Sequence, residues 1–284
     1  MIGLETHYAW ALLSLVSAGI FSFILKIGAE RTHSSALLNS ISCLVASGIS
    51  LVMFFVFGGT YSIFTLVLGT ISGFLYIYGG IARSDALTYI DSALYFPLYK
   101  IIGPLVVLVA GLFYFGEHIT WVQAVGFVGI IGVPLLLIDH VESSRQKDLR
   151  KGIWLTLISA VLISTGALFG KEAMSVGSTL FVFLIINYLV SGVGQLMIHV
   201  SRIRNPSKSK YKEVFLIAII LGIFQFLGFM SLLVAYQTGE VAIVFAINST
   251  YIVIPIILSI WFYREHWNTP PWRMCFDQVV VERN

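Results

Sequence analysis

The residue with the clearest capacity for chemistry is Lys100, the one charged residue in the apolar stretch 92–115. An ammonium group costs about 2.5 to 3.5 kcal/mol at the centre of a membrane, so it is a functional candidate by default. It lies about 12 Å along a helix that begins near Ser92, because each helical residue advances the chain by about 1.5 Å. Tyr95 and Tyr99 precede it closely in the same helix. The sequence therefore predicts a cation at membrane depth with aromatic neighbours.

Binding of a polar or anionic group is the chemistry that suits such a lysine. Asn248 occupies the equivalent place in a second, similar stretch of sequence, so we predict that Lys100 and Asn248 face a common central cavity and contact a substrate. Tyr95, Tyr99 and Gln225 are the other candidates for substrate binding. Two alternatives stay open: Lys100 extends its four-carbon stem to the membrane interface, and Gln225 bridges helices rather than binding substrate.

Three prolines, Pro97, Pro104 and Pro255, lie within apolar stretches that otherwise read as helices. Each removes one backbone hydrogen bond, and the freed carbonyl must be satisfied by a neighbouring helix, by water or by a ligand. We therefore expect helix kinks beside the cavity, with kinks that serve packing alone as the alternative.

Four further charged residues form two matched pairs, Glu117 with Glu265 and Lys26 with Lys171, which are 148 and 145 positions apart. Each glutamate directly follows a helix, and we expect it to cap or anchor the helix that comes next, with a role in proton coupling as the alternative. The two lysines are expected to be structural, because a cation is stabilised near a helix C-terminus and its stem reaches the interface.

The motifs support no other kind of chemistry. The sequence has no H-E-x-x-H motif, no pair of carboxylates at membrane depth and no Ser–His arrangement at a suitable depth, so we predict that the chain is not an enzyme. Cys43 and Cys275 have neither a metal-ligand spacing nor a disulfide framework, so we expect free thiols, no metal and no cofactor. The net charge of +3 gives no basic face for nucleic acid.

The elements that must position these residues are helices in lipid. Hydrophobic residues make up 58% of the chain and charged residues 11%, with a mean hydropathy of +0.92; soluble domains have roughly 45–50% and 25%. A membrane span needs about 20 apolar residues in a helix. The sequence thus predicts an all-α polytopic membrane protein, multi-pass in the plasma membrane. Nine stretches fit: 8–25, 36–57, 63–81, 92–115, 119–138, 152–170, 178–198, 214–236 and 241–263.

The second half of the sequence repeats the first. At a shift of 148 positions 92–120 matches 240–268, and at a shift of 145 Ser14 meets Ser159. Five helices per unit make the second copy enter the membrane in the opposite sense, which is an inverted repeat. The positive-inside rule then places the N-terminus outside, with twelve Lys and Arg residues inside and Lys171 alone outside.

The fourth helix of each unit carries the most recognisable motif residues: Ala86, Leu87, Ala93, Leu94, Pro97, Pro104, Gly116 and Glu117, with Tyr263, Arg264 and Glu265 ending the second copy. These motifs resemble the EamA-type branch of the drug/metabolite transporter superfamily, over residues 10–268. The resemblance implies ten helices in two inverted five-helix repeats, a central substrate cavity and transport by alternating access. The repeats would occupy 8–138 and 152–268, with a polar linker at 139–151.

Two features depart from that family pattern. Its members often have both termini in the cytoplasm, whereas the charge count here places the N-terminus outside. The tail 269–284 is too short and too charged to span a membrane, so we expect that the tenth helix is absent. A frameshift or premature end of the gene would explain this, and a functional nine-helix protein is the alternative.

The sequence therefore predicts an integral-membrane permease for a small polar metabolite, such as an amino acid, a sugar or a drug-like compound. A non-functional truncated remnant, a non-transporting membrane scaffold and, less favoured, an intramembrane enzyme are the alternatives. The expected partners are the lipid bilayer and the small-molecule substrate, without nucleic acid, and association as a homodimer is left open.

Overall fold

A computed structural model describes residues 2–32, 35–90, 92–136, 148–175, 180–202, 211–255 and 257–258. These ranges are helical almost throughout, and they contain nine α-helices, as the apolar stretches predict. The tail 269–284, and with it the expected absence of a tenth helix, lies outside the described residues. In chain order the helices are α1 (Ile2–Thr32), α2 (Ser35–Phe57), α3 (Ile63–Tyr89), α4 (Ser92–Phe113), α5 (Trp121–Leu136), α6 (Leu149–Ser175), α7 (Leu180–Arg202), α8 (Tyr211–Thr238) and α9 (Val241–Ser249).

Six of these helices, α1, α2, α3, α6, α7 and α8, contain segments long and apolar enough to cross a membrane. Leu98–Phe113 of α4 and Val241–Pro255 are shorter apolar segments. Only 28% to 44% of each long span is buried within the protein, so most of its surface faces outward. Large apolar side chains such as Phe113 and Trp121, 85% and 88% exposed, lie on the outside. Such a surface is stable in lipid, and the chain is therefore a polytopic membrane protein.

Two similar halves, α1–α4 and α6–α9, form the bundle around an approximate two-fold axis. The most extensive helix contacts include α1 with α8 and α3 with α6. The two pairs are equivalent, because α6 is the counterpart of α1 and α8 is the counterpart of α3. The Ser14 hydroxyl lies 2.7 Å from the carbonyl oxygen of Gly228, and the Ser159 hydroxyl lies 3.0 Å from the carbonyl oxygen of Gly79. The serines matched in the sequence repeat therefore make equivalent contacts in the structure.

Close approach of the central helices depends on two glycines at equivalent places. A Cβ atom on Gly73 of α3 would lie 2.7 Å from the Cβ of Val190 in α7. One on Gly222 of α8 would lie 2.6 Å from the Cβ of Val45 in α2. A larger residue at either position would push the helices apart, which is why small residues recur where membrane helices cross.

Contacts between α2 and α7 show the relative direction of the halves. The Ser47 hydroxyl donates to the carbonyl oxygen of Ile185 at 3.0 Å, and the Asn39 amide donates to the side-chain oxygen of Gln195 at 2.5 Å. Positions that rise along α2 meet positions that fall along α7, so these equivalent helices point in opposite directions. This is the inverted arrangement that an odd number of helices per repeat predicts. The boundaries of the repeats remain predictions.

The two ends of the bundle differ in charge. The end at which α3 finishes and α6 begins is called the basic end, because most described Lys and Arg residues lie near it: Arg83, Arg150, Lys151, Arg202 and Lys212. The opposite end, at which α4 finishes and α9 begins, is called the junction end and carries Lys171 with Glu117 and Glu240. This separation agrees with the charge count, and which end faces the cytoplasm remains a prediction.

Candidate functional site

Lys100 lies in the interior of the bundle, with only 7% of its surface exposed. Its ammonium nitrogen is 3.7 Å from the ring centre of Tyr251 and 5.7 Å from that of Tyr99. A hydrogen bond also joins the side chains of Lys100 and Tyr251. Because Lys100 belongs to the first half and Tyr251 to the second, this contact lies where the two halves meet.

Two of the predicted prolines lie close to this contact, and the helix changes its shape before one of them. Pro104 follows Lys100 by four residues, and Pro255 follows Tyr251 by four. A proline cannot donate to the carbonyl four residues earlier and its ring crowds that carbonyl, so the helix is weakened there. In the second half the α-helix gives way to a 3₁₀ turn at Thr250–Ile252, whereas α4 remains α-helical through Pro104. The 3₁₀ turn sets the position of the Tyr251 side chain.

Polar groups from α1 and α3 complete the surroundings of Tyr251. Ser22 of α1 is hydrogen-bonded to the Tyr251 side chain. The guanidinium group of Arg83 in α3 acts electrostatically on both Lys100 and Tyr251. The site therefore draws on at least three helices of the first half and on the 3₁₀ turn of the second.

Tyr95 and Tyr99, both predicted from the sequence, lie on the side of Lys100 that faces the basic end. Their rings stack with centres 5.8 Å apart. The hydroxyl of Tyr95 is 3.0 Å from the hydroxyl of Ser159 in α6, which ties α4 to the second half. The structure thus brings Tyr95, Tyr99 and Lys100 together, and their contact with a substrate remains a prediction.

The charge of Lys100 is balanced only in part. Among the residues that the structure describes, the groups acting electrostatically on it are Tyr251 and Arg83, and no carboxylate pairs with it. Burying an ammonium ion costs several kcal/mol. A cation beside an aromatic ring gains about 0.5–2 kcal/mol, so the Tyr251 ring offsets only part of that cost. Within the described residues, the charge of Lys100 therefore has no full counter-charge.

Asn248 lies about one turn before Tyr251 in the second half. Its side-chain oxygen is 2.9 Å from the hydroxyl of Ser14 in α1. This contact joins α9 to α1, so Asn248 links helices within the bundle. A role for Asn248 in substrate binding remains a prediction.

Gln225 lies in α8, where it joins that helix to α2. Its side-chain oxygen accepts a hydrogen bond from the Ser42 hydroxyl at 2.8 Å, and its side-chain nitrogen lies 3.2 Å from the sulfur of Cys43, a free buried thiol. The geometry favours the helix-bridging alternative for Gln225. The side chain of Pro97 and all of Cys275 lie outside the described residues.

Between Lys100 and the junction end, two buried hydroxyls have no hydrogen-bond partner within the described ranges, those of Ser164 and Tyr236. A Cβ atom on Gly103 would lie 3.2 Å from the Ser164 oxygen, so this hydroxyl faces α4 about one turn beyond Lys100. Tyr236 is within electrostatic reach of Glu117. Because buried polar groups are almost always hydrogen-bonded, unpaired ones point to contact with water or a ligand.

Glu117 forms a second charged site at the junction end. Its carboxylate accepts a hydrogen bond from the Lys171 ammonium group at 2.5 Å, and the two side chains are 8% and 19% exposed. It also accepts hydrogen bonds from the backbone amides of Val241 at 2.8 Å and Ala242 at 3.4 Å. The first amides of a helix lack partners inside the helix and attract negative charge. One carboxylate from the first half therefore holds both α6 and α9 of the second.

The sequence predicts that Glu117 caps α5, the next helix along the chain. This prediction is wrong, because the helix that Glu117 caps is α9. The start of α5 has a reciprocal cap of its own. The backbone amide of Thr120 donates to the Gln123 side chain at 2.8 Å, and the backbone amide of Gln123 donates to the Thr120 hydroxyl at 3.3 Å. The sequence counterpart Glu265 and the side chain of Lys26 lie outside the described residues.

Sequence reasoning misses Tyr251, although one signal points to it. At a shift of 148 the repeat pairs Lys100 with Asn248, yet the two mid-helix prolines are 151 positions apart. At that spacing Lys100 pairs with Tyr251, because each precedes its proline by four residues. The mismatch between the two shifts is the observation that would have identified Tyr251.

A helical bundle of two inverted halves, with charged and polar groups buried between them, has the architecture of a secondary transporter. One solved structure, described as "Crystal structure of protein", shares this fold with a TM-score of 0.74 at 14% sequence identity, over 98% of this chain and 95% of its own. Comparison with curated proteins finds no match.

The family model described as "EamA-like transporter family" matches residues 150–272, which include most of the second half. This match and the helical membrane architecture support the resemblance to EamA-type transporters of the drug/metabolite transporter superfamily that the motifs indicate. The family is one of transporters, in line with the prediction that the chain is not an enzyme. Location in the plasma membrane remains a prediction.

Proposed function

We propose that the protein is a permease that moves a small polar metabolite by alternating access, with the substrate bound beside Lys100 and Tyr251. The contact between these two side chains carries the proposal, because it brings one residue from each half to a buried point between them. Transporters with inverted repeats bind their substrates at such a point and expose it to each side of the membrane in turn.

Contacts at the junction end support the same proposal. Glu117 joins the first half to α6 and α9 of the second, and Gln123 of α5 donates a hydrogen bond to Glu240 at 2.8 Å. Alternating access requires one path to the site to be closed while the other is open. For the substrate to pass at this end, the Glu117–Lys171 pair must separate.

Uptake into proteoliposomes that contain the purified full-length chain tests the proposal. The liposomes are offered a mixture of radiolabelled amino acids, sugars and nucleosides, with empty liposomes as the blank. We expect uptake by the wild type, loss of uptake in Tyr251→Ala, and retention in Tyr78→Ala, a matched tyrosine that is exposed on α3. Equal uptake by all three proteins would contradict a site at Tyr251, and none by the wild type would favour a scaffold or an inactive remnant.

Alternation is tested with a reversible link across the junction end. Gln123→Cys and Glu240→Cys are introduced together into a chain whose Cys43 and Cys275 are replaced by alanine. A short bifunctional thiol reagent is expected to arrest uptake, and a reductant that opens the link is expected to restore it. Either cysteine alone, treated in the same way, is the control. Undiminished uptake after complete linking would rule out opening at this end.

A further inference from the structure

The buried site differs from an ordinary polar pocket in the sign of its charge. Lys100 contributes a buried positive charge, and among the described residues no carboxylate pairs with it. A cationic ligand would be repelled by this ammonium group, because like charges brought together in an interior are strongly disfavoured. A neutral ligand would leave the ammonium group of Lys100 buried and without a counter-charge.

We propose that the transported compound carries an anionic oxygen group, a carboxylate or a phosphate, which pairs with the ammonium group of Lys100. This inference rests on the proposed permease function and narrows its substrate class to organic anions. The two sources of the anionic group share one chemistry, which is an oxygen anion that accepts hydrogen bonds from a lysine.

The contacts of Lys100 are of a kind that an anion could replace. Its nitrogen lies beside the Tyr251 ring in the interior. A lysine that extends to the membrane interface would instead have its nitrogen at the protein surface. An arriving anion therefore displaces an aromatic contact, which is a weaker partner for an ammonium group than a carboxylate is. At Lys171, by contrast, an anion would have to displace Glu117.

Hydroxyl groups beside the ammonium suit the same ligand. Tyr251 and Ser22 are hydrogen-bonded to each other and each has an O–H group, and Tyr251 is also hydrogen-bonded to Lys100. Oxygen anions bind most strongly where charged and neutral donors converge on them. The ammonium of Lys100 supplies the charge, and the Tyr251 hydroxyl can supply a further donor from the other half, whereas the Ser22 hydroxyl already donates to the carbonyl oxygen of Ala18 at 2.8 Å.

Pairs of related compounds, one anionic and one neutral, test the inference. The purified full-length protein in lipid nanodiscs is heated with succinate or succinamide, with benzoate or benzamide, and with glycerol 3-phosphate or glycerol, and a diamine is included as the cation. The midpoint of thermal unfolding is measured for the wild type, Lys100→Arg, Lys100→Met and Lys100→Gln. Lys151→Met is the control, because it removes an exposed lysine at the basic end.

At least one anion is expected to raise the midpoint of the wild type, Lys100→Arg and Lys151→Met in a dose-dependent way, while its neutral partner does not. Its affinity is expected to fall at least tenfold in both Lys100→Met and Lys100→Gln. Equal stabilisation by the neutral partners or by the diamine would overturn the inference, and so would unchanged anion binding in both neutral variants.

The same measurements separate this inference from the proposed function. A neutral compound or the diamine could stabilise the wild type and fail to stabilise Tyr251→Ala. That result would support the interior site and contradict only its preference for anions. Stabilisation that depends on neither Lys100 nor Tyr251 would count against both. Carboxylate and phosphate probes that behave differently would show which of the two groups the site accepts.

Discussion

Lys100 and Lys171 are both enclosed by helices where the two halves meet, yet their surroundings differ. Lys171 pairs with the Glu117 carboxylate at 2.5 Å, and its nitrogen also lies 4.8 Å from the ring centre of Phe115. The nitrogen of Lys100 lies 3.7 Å from the ring centre of Tyr251 and has no carboxylate partner in the described part of the chain. Within the described residues, the charge of Lys171 is neutralised and that of Lys100 is not.

This difference separates a structural charge from one that is available to a ligand. An ion pair within the protein is satisfied before any substrate arrives, so its removal should lower the stability of the protein. A buried charge without a counter-charge lowers stability. We therefore expect such a group to have a function, which here is the binding of a ligand. Neutral substitutions at the two sites should therefore have opposite effects on stability.

The largest expected effect on stability is that of Glu117→Ala. Lys171 would keep a partly buried charge without a counter-charge, and the Val241 and Ala242 amides would lose their acceptor. We expect a loss of about 3 kcal/mol from breaking the pair and of about 1 kcal/mol from removing a helix cap. The measurement is unfolding in mixed micelles titrated with sodium dodecyl sulfate. Glu172→Ala, which changes the residue beside Lys171, is the control, and equal losses in the two variants would contradict the structural role of Glu117.

Lys100→Met is expected to abolish transport without a loss of stability. Removing the ammonium group should lower the uptake rate by roughly 100-fold, which corresponds to about 2.7 kcal/mol. Stability should stay the same or rise by about 1 kcal/mol, because a buried ion is replaced by an apolar side chain of similar length. Uptake and unfolding are measured on the same preparation. A Lys100→Met protein that unfolds as easily as Glu117→Ala would remove the contrast between the two sites.

A double-mutant cycle sharpens the comparison at the junction end. Glu117→Gln and Lys171→Met are each expected to destabilise the protein, and the double variant should recover about 1–3 kcal/mol relative to the sum of the two losses. The recovery arises because the double variant has no buried charge without a counter-charge at these two positions. A matching cycle of Glu117→Gln with Lys100→Met should show strict additivity, and coupling there would mean that the two sites act as one.

The smallest expected effect is that of Tyr251→Phe, which keeps the ring beside Lys100 and removes the hydroxyl. The loss of the hydrogen bonds with Lys100 and Ser22 should cost about 0.5–1.5 kcal/mol, seen as a several-fold weaker affinity for substrate. Tyr251→Ala should weaken uptake further, since it removes the ring as well. If both variants matched the wild type in uptake, Tyr251 would have no part in the site.

Much of the fold follows from the sequence because its causes are local. Each of the nine predicted spans overlaps a described helix, since about 20 apolar residues without charge have few alternatives to a helix in lipid. The repeat also follows from sequence, because Ser14 and Ser159 are matched there and then make equivalent contacts. The 3₁₀ turn before Pro255 is a local consequence of proline chemistry.

The partners of the charged residues do not follow from sequence in the same way. Glu117 is three residues before Thr120, yet it caps α9, because the Thr120–Gln123 cap already serves α5 and helix packing brings Val241 within reach. The repeat at a shift of 148 positions pairs Lys100 with Asn248, whereas in the structure Lys100 contacts Tyr251.

The sequence by itself determined that apolar helices form, that they suit lipid, that the two halves are similar and inverted, and that Lys100 is the one charge within its apolar helix. Only the tertiary structure decided which lysine has a carboxylate partner. The reason is that span length and hydropathy are properties of one helix, whereas an ion pair depends on how segments far apart in the chain pack together. Glu117 and Lys171, for example, are separated by 54 residues.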